Sequence, residues 1–372
     1  MVQANERKVR YAVVGLGWFA QVAILPAFAH AAKNSELAGL VTGDPEKARA
    51  LGEKYQVPVA PYAEYDRLLH EQKVDAVYLA LPNSKHCEFT VRSAQAGAHV
   101  LCEKPMAVTP AECEMMLDAC ERNQVKLMIA YRLHFEEANL QTIELVRSGR
   151  IGEPRAFGSL LTQQVAPGNI RLDADLGGGP LGDVGIYCVN AARYLFRDEP
   201  TEVMAFAARK DEPRFAEVPE MVSAVLRFPH ERLATFTCGF GEASVSTYQV
   251  VGTRGDVRLD PAYTFHGDIR QYVTVDEKTE ERTFRKRDQV APEILYFSDC
   301  ILKGRNPEPS GIEGLIDVRI LHALEQSYIG GKPVPLQPFP AKRRPGPEQA
   351  IKRPAVSKPD LIHAAPPGGK EQ

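Results

Sequence analysis

Val9-Arg-Tyr-Ala-Val-Val-Gly15-Leu-Gly17-Trp-Phe-Ala20 is the stretch on which the reading of the fold turns. Residues 9–14 are a short, mostly apolar run of the kind buried in a parallel sheet. Gly15 permits a tight turn, Gly17 lets the backbone come close to a ligand, and a helix begins directly after. A helix N-terminus offers unpaired N–H groups and a positive dipole end, which suit a pyrophosphate. Ala20 stands where the G-x-G-x-x-G pattern has its third glycine and still allows close helix–strand packing. A strand, a glycine turn and a helix in this order predict a dinucleotide site.

Outward from that unit, apolar runs recur at residues 37–41, 76–81, 99–102 and 126–130, separated by helical patterns. Thr109, Pro110 and Glu112 spell an N-cap, a first-turn proline and a capping box for one of those helices, and another is expected over 84–97. The predicted fold class is α/β. Residues 1–130 form a Rossmann-type, doubly wound parallel sheet, followed over 131–332 by an α+β domain with an open, largely antiparallel sheet. In that second domain helices are expected near 137–147, 182–195, 292–302 and 311–328. Strands are expected near 203–208, 222–227, 233–238, 247–251 and 256–259. Residues 333–372 hold ten prolines in 40 residues. They read as a proline-rich tail, either solvated or laid as an arm across a partner subunit.

The chain has 372 residues, and about 150 per domain predicts two domains. Lys and Arg number 45 against 48 Asp and Glu, a net charge of −3. That balance excludes a polybasic nucleic-acid or membrane-surface protein. Seven cysteines, none in C-x-x-C spacing, read as reduced thiols in a cytoplasm rather than a disulfide framework or a metal site. Cys113 and Cys120 are expected on one helix face. Residues 11–32 carry no charge and follow Arg7, Lys8 and Arg10, as in a secretory signal or membrane span. Gly15, Gly17, Gln21 and Pro26 interrupt the run, so no membrane segment is expected.

The identity of the dinucleotide is read at Leu40-Val-Thr42-Gly43-Asp44-Pro-Glu-Lys47. NAD enzymes usually place a carboxylate at the end of this second strand for the ribose hydroxyls. Thr42 and Gly43 are small, and Lys47 with Arg49 can neutralise a 2′-phosphate. Asp44 remains a candidate ribose acid; NADP is favoured over NAD.

Leu81-Pro82-Asn83 follows a strand at the rim where ligands bind in such sheets. His86, in the next turn, faces either the crevice or its own helix start. Glu103-Lys104-Pro105 ends the following strand, where a lysine can orient a substrate hydroxyl and hold a neighbouring phenol ionised. Gly177-Gly-Gly-Pro-Leu-Gly-Asp183-Val-Gly-Ile-Tyr187-Cys-Val-Asn190 spaces Asp183, Tyr187 and Asn190 at i, i+4 and i+7, on one helix face. A polar stripe after a triple glycine points to a cavity. The plainer reading makes Tyr187 a packed aromatic with its hydroxyl satisfied.

Taken together, the motifs at 15–20, 81–86, 102–105, Tyr131-Arg-Leu-His134 and 177–190 resemble the Gfo/Idh/MocA oxidoreductases over residues 8–330. Within that family the chain is similar to the glucose–fructose oxidoreductase subgroup. The resemblance implies hydride transfer between a nicotinamide and a sugar or polyol carbon. It assigns Lys104, Asp183 and Tyr187 to catalysis, and these with Arg171 to the substrate. To the nucleotide it assigns Gly15, Leu16, Gly17, Trp18, Phe19, Thr42, Gly43, Lys47, Tyr62, Leu81, Pro82, Asn83, His86, Glu103, Lys104 and Arg132. Many relatives have histidine where this chain has Tyr187; tyrosine matches the subgroup, whose NADP stays bound through turnover. The chain departs from its relatives in Ile170-Arg171, where they often have Trp-Arg, and in the tail. That subgroup is exported, whereas no signal is read here.

The reaction expected from the resemblance is oxidation of an aldose at its anomeric carbon to a lactone. Tyr187 would be the general base and Asp183 would orient the sugar. A free phenol titrates near about 10, so a cation such as Lys104 is required beside it. A captive NADP must be reoxidised by a second sugar or carbonyl, giving ping-pong kinetics. The alternatives are an aldose or polyol dehydrogenase with exchangeable NAD(P), and a non-catalytic nucleotide-binding regulator. An open sheet face is expected to pair subunits into a homodimer or homotetramer.

Overall fold

The structure is a computed structural model describing residues 7–337, 339, 344–357 and 359–369. Residues 1–6 and 370–372, at the ends of the predicted first domain and tail, lie outside the described residues. Six strands form one parallel sheet: Val9–Val14 (β1), Ser35–Val41 (β2), Val59–Ala60 (β3), Ala76–Leu79 (β4), His99–Glu103 (β5) and Leu127–Ala130 (β6). Their spatial order is β3-β2-β1-β4-β5-β6. The chain therefore starts mid-sheet and winds outward in both directions, and the loops diverge beyond the C-terminal ends of β1 and β4.

Alternation along β1 builds two cores. Val9, Tyr11 and Val13 face one side with Leu25–Ala31 (α1), while Ala12 and Val14 face the other. Helices Pro45–Tyr55 (α2), Tyr65–Glu71 (α3), His86–Gln95 (α4) and Pro110–Arg122 (α5) complete the crossovers. The capping box of α5 is formed: Glu112 N donates to Thr109 Oγ1 (3.2 Å) and Thr109 N to Glu112 Oε2 (2.9 Å). Cys113 and Cys120 are both buried on that helix. The uncharged run after Arg10 is most of β1, the glycine turn and α1. No helix among the described residues is long and apolar enough to cross a membrane.

After Glu137–Arg147 (α6) comes a nine-stranded sheet made of Pro154–Gln164 (β7), Glu202–Ala208 (β8), Met221–Phe228 (β9), Arg232–Gly239 (β10), Gly241–Gly252 (β11), Gly255–Leu259 (β12), Ile269–Val275 (β13), Lys278–Phe284 (β14) and Val334–Pro335 (β15). Its order is β14-β13-β12-β11-β7-β10-β9-β8-β15, antiparallel throughout except for β7 with β10. Strands β7, β13 and β14 escaped the sequence reading, as did the two-residue strands β3 and β15, the latter within the segment read as a tail. β7 carries Pro, Gly, Ser and Gln, and β14 is an exposed edge whose Lys-Thr-Glu-Glu-Arg looks like a solvated charge run. Ile186–Phe196 (α7) covers the inner face, preceded by a π-helical turn over Leu181–Gly185.

Two late helices, Ala291–Leu302 (α8) and Gly311–Gly330 (α9), return to the first sheet. Ile294 and Phe297 of α8 enter the α1-side core, and Tyr11 Oη bonds Ser298 Oγ at 2.9 Å. The described part of the proline-rich segment is not free in solvent, as composition suggested. Val334–Pro335 joins the second sheet beside β8, Arg344 pairs with Glu199 and Glu313, and residues 353–362 run along the helical stretch 20–31, with Arg353 bonded at His30 and Ile362 at Gln21.

Candidate active site

The glycine turn has the shape its sequence requires. Gly15 has φ +91°, and a Cβ there would lie 2.4 Å from the Ala80 carbonyl oxygen. No non-glycine residue fits so close to the end of β4. A Cβ on Gly17 would meet nothing within 4 Å, so the turn opens onto free space at the helix start, as a pyrophosphate cradle should. Leu16 and Ala20 are buried beneath it. Trp18 and Phe19 both pack edge-on against Phe265, at 6.0 and 5.5 Å between ring centroids.

The end of β2 forms the far rim. Thr42 is buried, and Tyr62 covers Gly43, with its ring 3.4 Å from where a Cβ would stand. Asp44 caps α2 by accepting from Glu46 N (2.9 Å) and Lys47 N (3.0 Å). The Lys47 N–H and then His363 hold its carboxyl below the usual range. Lys47 forms no ion pair among the described residues, so its ammonium is available at this rim.

The next two strand ends converge on the second domain. Leu81 packs against Gly15, and Asn83 Nδ2 donates to the Gly177 carbonyl (2.7 Å), tying the Leu81-Pro82-Asn83 loop to the triple glycine. Gly178 sits so close to the Arg171 carbonyl that a Cβ would lie 2.5 Å from it. His86 does not line the opening. It is fully buried, with Nδ1 2.8 Å from Pro105 O and Nε2 3.1 Å from Leu81 O, and burial lowers its pKa. It joins the two rim loops from below.

Lys104, Asp183, Arg171 and Tyr187 come together in one cluster. Lys104 Nζ donates to the Asp183 carbonyl (2.8 Å) and to its Oδ1 (3.2 Å). Asp183 Oδ2 accepts from Arg171 Nε (2.7 Å) and Gln163 Nε2 (3.1 Å). Burial alone would raise the Asp183 carboxyl, but the two cations hold it well below the usual carboxylate range. Lys104 moves the other way: burial disfavours its charge, yet Tyr187, Asp183 and Glu103 together raise its pKa. At neutral pH the site therefore holds an ammonium, a guanidinium and a carboxylate.

Tyr187 lies across this cluster. Lys104 Nζ is 4.9 Å from its ring centroid, and the Arg132 guanidinium is 5.0 Å from it. Arg132 Nη2 donates to the Tyr263 carbonyl at 2.6 Å, and its guanidinium also covers Phe265 at 5.3 Å. A continuous line of contacts thus runs from the glycine turn through Phe19, Phe265 and Arg132 to Tyr187 and Lys104. Below it, Tyr78 Oη donates to Glu103 Oε1 (2.9 Å), and burial pushes the carboxyls of Glu103 and Glu293 up. Sequence reasoning did not find Gln163, Tyr263, Phe265, His266 or Glu293. The aromatic cluster Tyr263-Thr-Phe265-His266 was the one available signal.

Asn190 leaves the predicted stripe. Its amide donates to Asp317 Oδ2 (2.8 Å) and its oxygen lies 2.7 Å from His134 Nε2, inside a buried network centred on Arg193. The π-turn at Leu181–Gly185 precedes α7 and shifts the register of Asp183 against Tyr187, while Asn190, within α7, is held by His134 and Asp317.

Residues 9–131 match the description "Oxidoreductase family, NAD-binding Rossmann fold", and residues 140–258 match "GFO/IDH/MocA C-terminal domain". The chain belongs to the Gfo/Idh/MocA oxidoreductase family. It is 32% identical over 333 residues to D-xylose 1-dehydrogenase [NADP(+)] of Haloarcula marismortui, covering 87% of this chain and 92% of the relative. Among solved structures it is similar to the aldose-aldose oxidoreductase of Caulobacter crescentus complexed with glycerol, at 38% identity and TM-score 0.85. That match covers 89% of this chain and 100% of the other. A 3-ketoreductase of Actinomadura kijaniata in complex with NADP and TDP-benzene matches at 25% identity and TM-score 0.80, over 86% of this chain and 98% of the other. The Gfo/Idh/MocA architecture of a parallel nucleotide sheet and an open mixed sheet is the one found here.

Proposed function

We propose that the protein is an NADP-dependent oxidoreductase acting on CH–OH groups of sugars, oxidising an aldose at C1 to a lactone. The observation that carries this is the Lys104–Asp183–Arg171 cluster with Lys104 Nζ against the Tyr187 ring, joined through Arg132, Phe265 and Phe19 to the glycine turn. Gly15, Gly17, Thr42, Gly43, Tyr62 and Lys47 would hold the nucleotide. When bound, its nicotinamide accepts the hydride that leaves the anomeric carbon. Tyr187 takes the proton of the C1 hydroxyl, so the C1–H and O–H bonds break as the C=O bond forms. Lys104 keeps positive charge beside the phenol, and Asp183 with Arg171 orients the sugar hydroxyls. Positioned acid–base assistance of this kind supplies about 10²–10⁴-fold in rate.

In the return half-reaction Tyr187 would give the proton back to the oxygen of a second sugar or carbonyl, and retention of the nucleotide between the two half-reactions would make the kinetics ping-pong. The xylose dehydrogenase relative favours a second reading, the same oxidation with exchangeable nucleotide. Denaturing the purified protein and identifying the released nucleotide by mass separates the two. Near-equimolar NADP(H) supports the captive cofactor; an empty protein supports the ordinary dehydrogenase; NAD(H) overturns the assignment of Thr42 and Lys47.

The outer face of the nine-stranded sheet presents Phe206 (69% exposed), Leu160, Val225, Leu233 and Val251 to solvent. We assign it to pairing with a second copy of the chain. Phe206→Asp should shift the sedimentation coefficient toward that of a monomer, and a wild-type monomer would refute the assignment. All seven cysteines are buried and unpaired, which supports placing the protein in the reducing cytoplasm; finding it exported from its cells would refute that.

A further inference from the structure

We propose that residues 359–369 are a strap closing the adenosine end of the nucleotide site, with His363 a specificity residue for the 2′-phosphate. The inference rests on the NADP reading above and concerns how the chain retains and selects that nucleotide.

The path of the segment carries the argument. Arg353 Nε donates to the His30 carbonyl (3.1 Å) at the C-terminal end of α1. Nine residues on, Ile362 reaches the opposite end of that helical stretch. Its N–H donates to Gln21 Oε1 (2.8 Å), and Gln21 Nε2 donates back to its carbonyl (2.8 Å). Gln21 is buried, and the same Nε2 also donates to the Leu16 carbonyl (3.0 Å) in the glycine turn. The strap is thus pinned to the turn that would hold the pyrophosphate. Next, His363 Nδ1 lies 3.0 Å from Asp44 Oδ2 and Nε2 lies 3.5 Å from Glu46 Oε2. Beyond it, Ala166 N donates to the Pro367 carbonyl (2.8 Å). Ala166 follows β7 in the loop that leads to Arg171. The segment therefore runs from the nucleotide sheet to the substrate domain, across the mouth between them.

The chemistry at His363 follows from its two neighbours. Asp44 and Glu46 place two carboxylates on the rim where a 2′-phosphate would sit. The imidazole stands between them, and its ring nitrogen engages Asp44 Oδ2, so that carboxylate repels a phosphate less. The same contact occupies Asp44 Oδ2, an acceptor that a 2′-hydroxyl would otherwise use. Both effects favour NADP over NAD. Pro359, Pro366 and Pro367 restrict the strap before it docks, which lowers the ordering cost of closing it.

The test compares full-length protein, a truncation lacking residues 359–372, and His363→Ala. Release of NADPH from loaded protein is followed by stopped-flow fluorescence, and Kd for NADP and NAD by calorimetry on stripped protein. Truncation should speed release about ten-fold or more, the loss of a two-bond anchor. His363→Ala should weaken NADP roughly four-fold and leave NAD no weaker, or tighter through the freed Asp44 acceptor, since the pair is partly exposed. Unchanged release from a truncated protein of unchanged melting temperature overturns the strap. Equal weakening of both nucleotides by His363→Ala overturns the specificity role. Full-length protein that takes up no NADP overturns the underlying reading and the strap with it.

Discussion

Replacing Asp183 with Asn removes the charge that two cations share while keeping the side chain's size. Lys104 and Arg171 contact its two oxygens at 3.2 and 2.7 Å, and their side chains are only 12% and 26% exposed. Breaking a buried pair by removing one partner costs about 3–5 kcal/mol. Partial exposure of both cations puts the expected loss at the lower end, about 3 kcal/mol. The sign of its pH dependence follows from the lowered Asp183 carboxyl. The unfolded chain binds that proton more readily than the folded one, so the contribution is present above about pH 4 and lost on further acidification. Urea unfolding of both proteins at pH 7 should show the full gap, narrowing by about 1.4 kcal/mol per pH unit below pH 4. Turnover should fall by about 10²–10⁴-fold, because Lys104 and the sugar both lose their reference point. A gap under about 1 kcal/mol at pH 7, or one insensitive to acid, would falsify the electrostatic account.

Tyr187→Phe should abolish most turnover, by about 10²–10⁴-fold, while loaded nucleotide stays bound; near-native rates would remove Tyr187 from the chemistry. Gly15→Ala forces a Cβ against the Ala80 carbonyl at φ +91°, so stability should drop by about 2–4 kcal/mol and nucleotide uptake should be lost. An alanine variant melting with the wild type would show that the turn tolerates a side chain. Burial pushes His134 down to about 4, so its native form is neutral while the unfolded chain titrates near 6.5. Its contribution is present above about pH 6.5 and lost as pH falls toward 4, up to about 3 kcal/mol. His134→Gln should flatten that part of the stability curve, and identical pH slopes would show that His134 does not produce it.

Legibility tracked how local each interaction is. The capping box of α5 joins residues three apart, so Thr109-Pro-Ala-Glu112 announced it in full. β7 pairs with β10 and β11, far along the chain, and its own residues carry no periodic apolar signal. His86 was ambiguous because a first-turn histidine faces either way. Which way it faces depends on where Pro105 O and Leu81 O come to rest. Phe265 and Tyr263 sit in a connection without helical or strand period, and only their proximity to Trp18, Phe19 and Arg132 gives them a place beside the site.

By itself the sequence determined the strand–glycine turn–helix unit at 9–20, the parallel sheet that follows, and the motifs carrying Lys104, Asp183 and Tyr187. Each depends on residue type and short spacing, where sterics and hydrogen bonding act within a few positions. Tertiary structure alone decided that Arg171 and Lys104 share the Asp183 carboxylate and that Asn190 turns away into the Arg193 network. It also decided that Arg132 lies across the Tyr187 ring and that residues 353–362 of the proline-rich segment dock along the helical stretch 20–31. Those outcomes depend on contacts between residues from twelve to more than three hundred positions apart, which no local pattern carries.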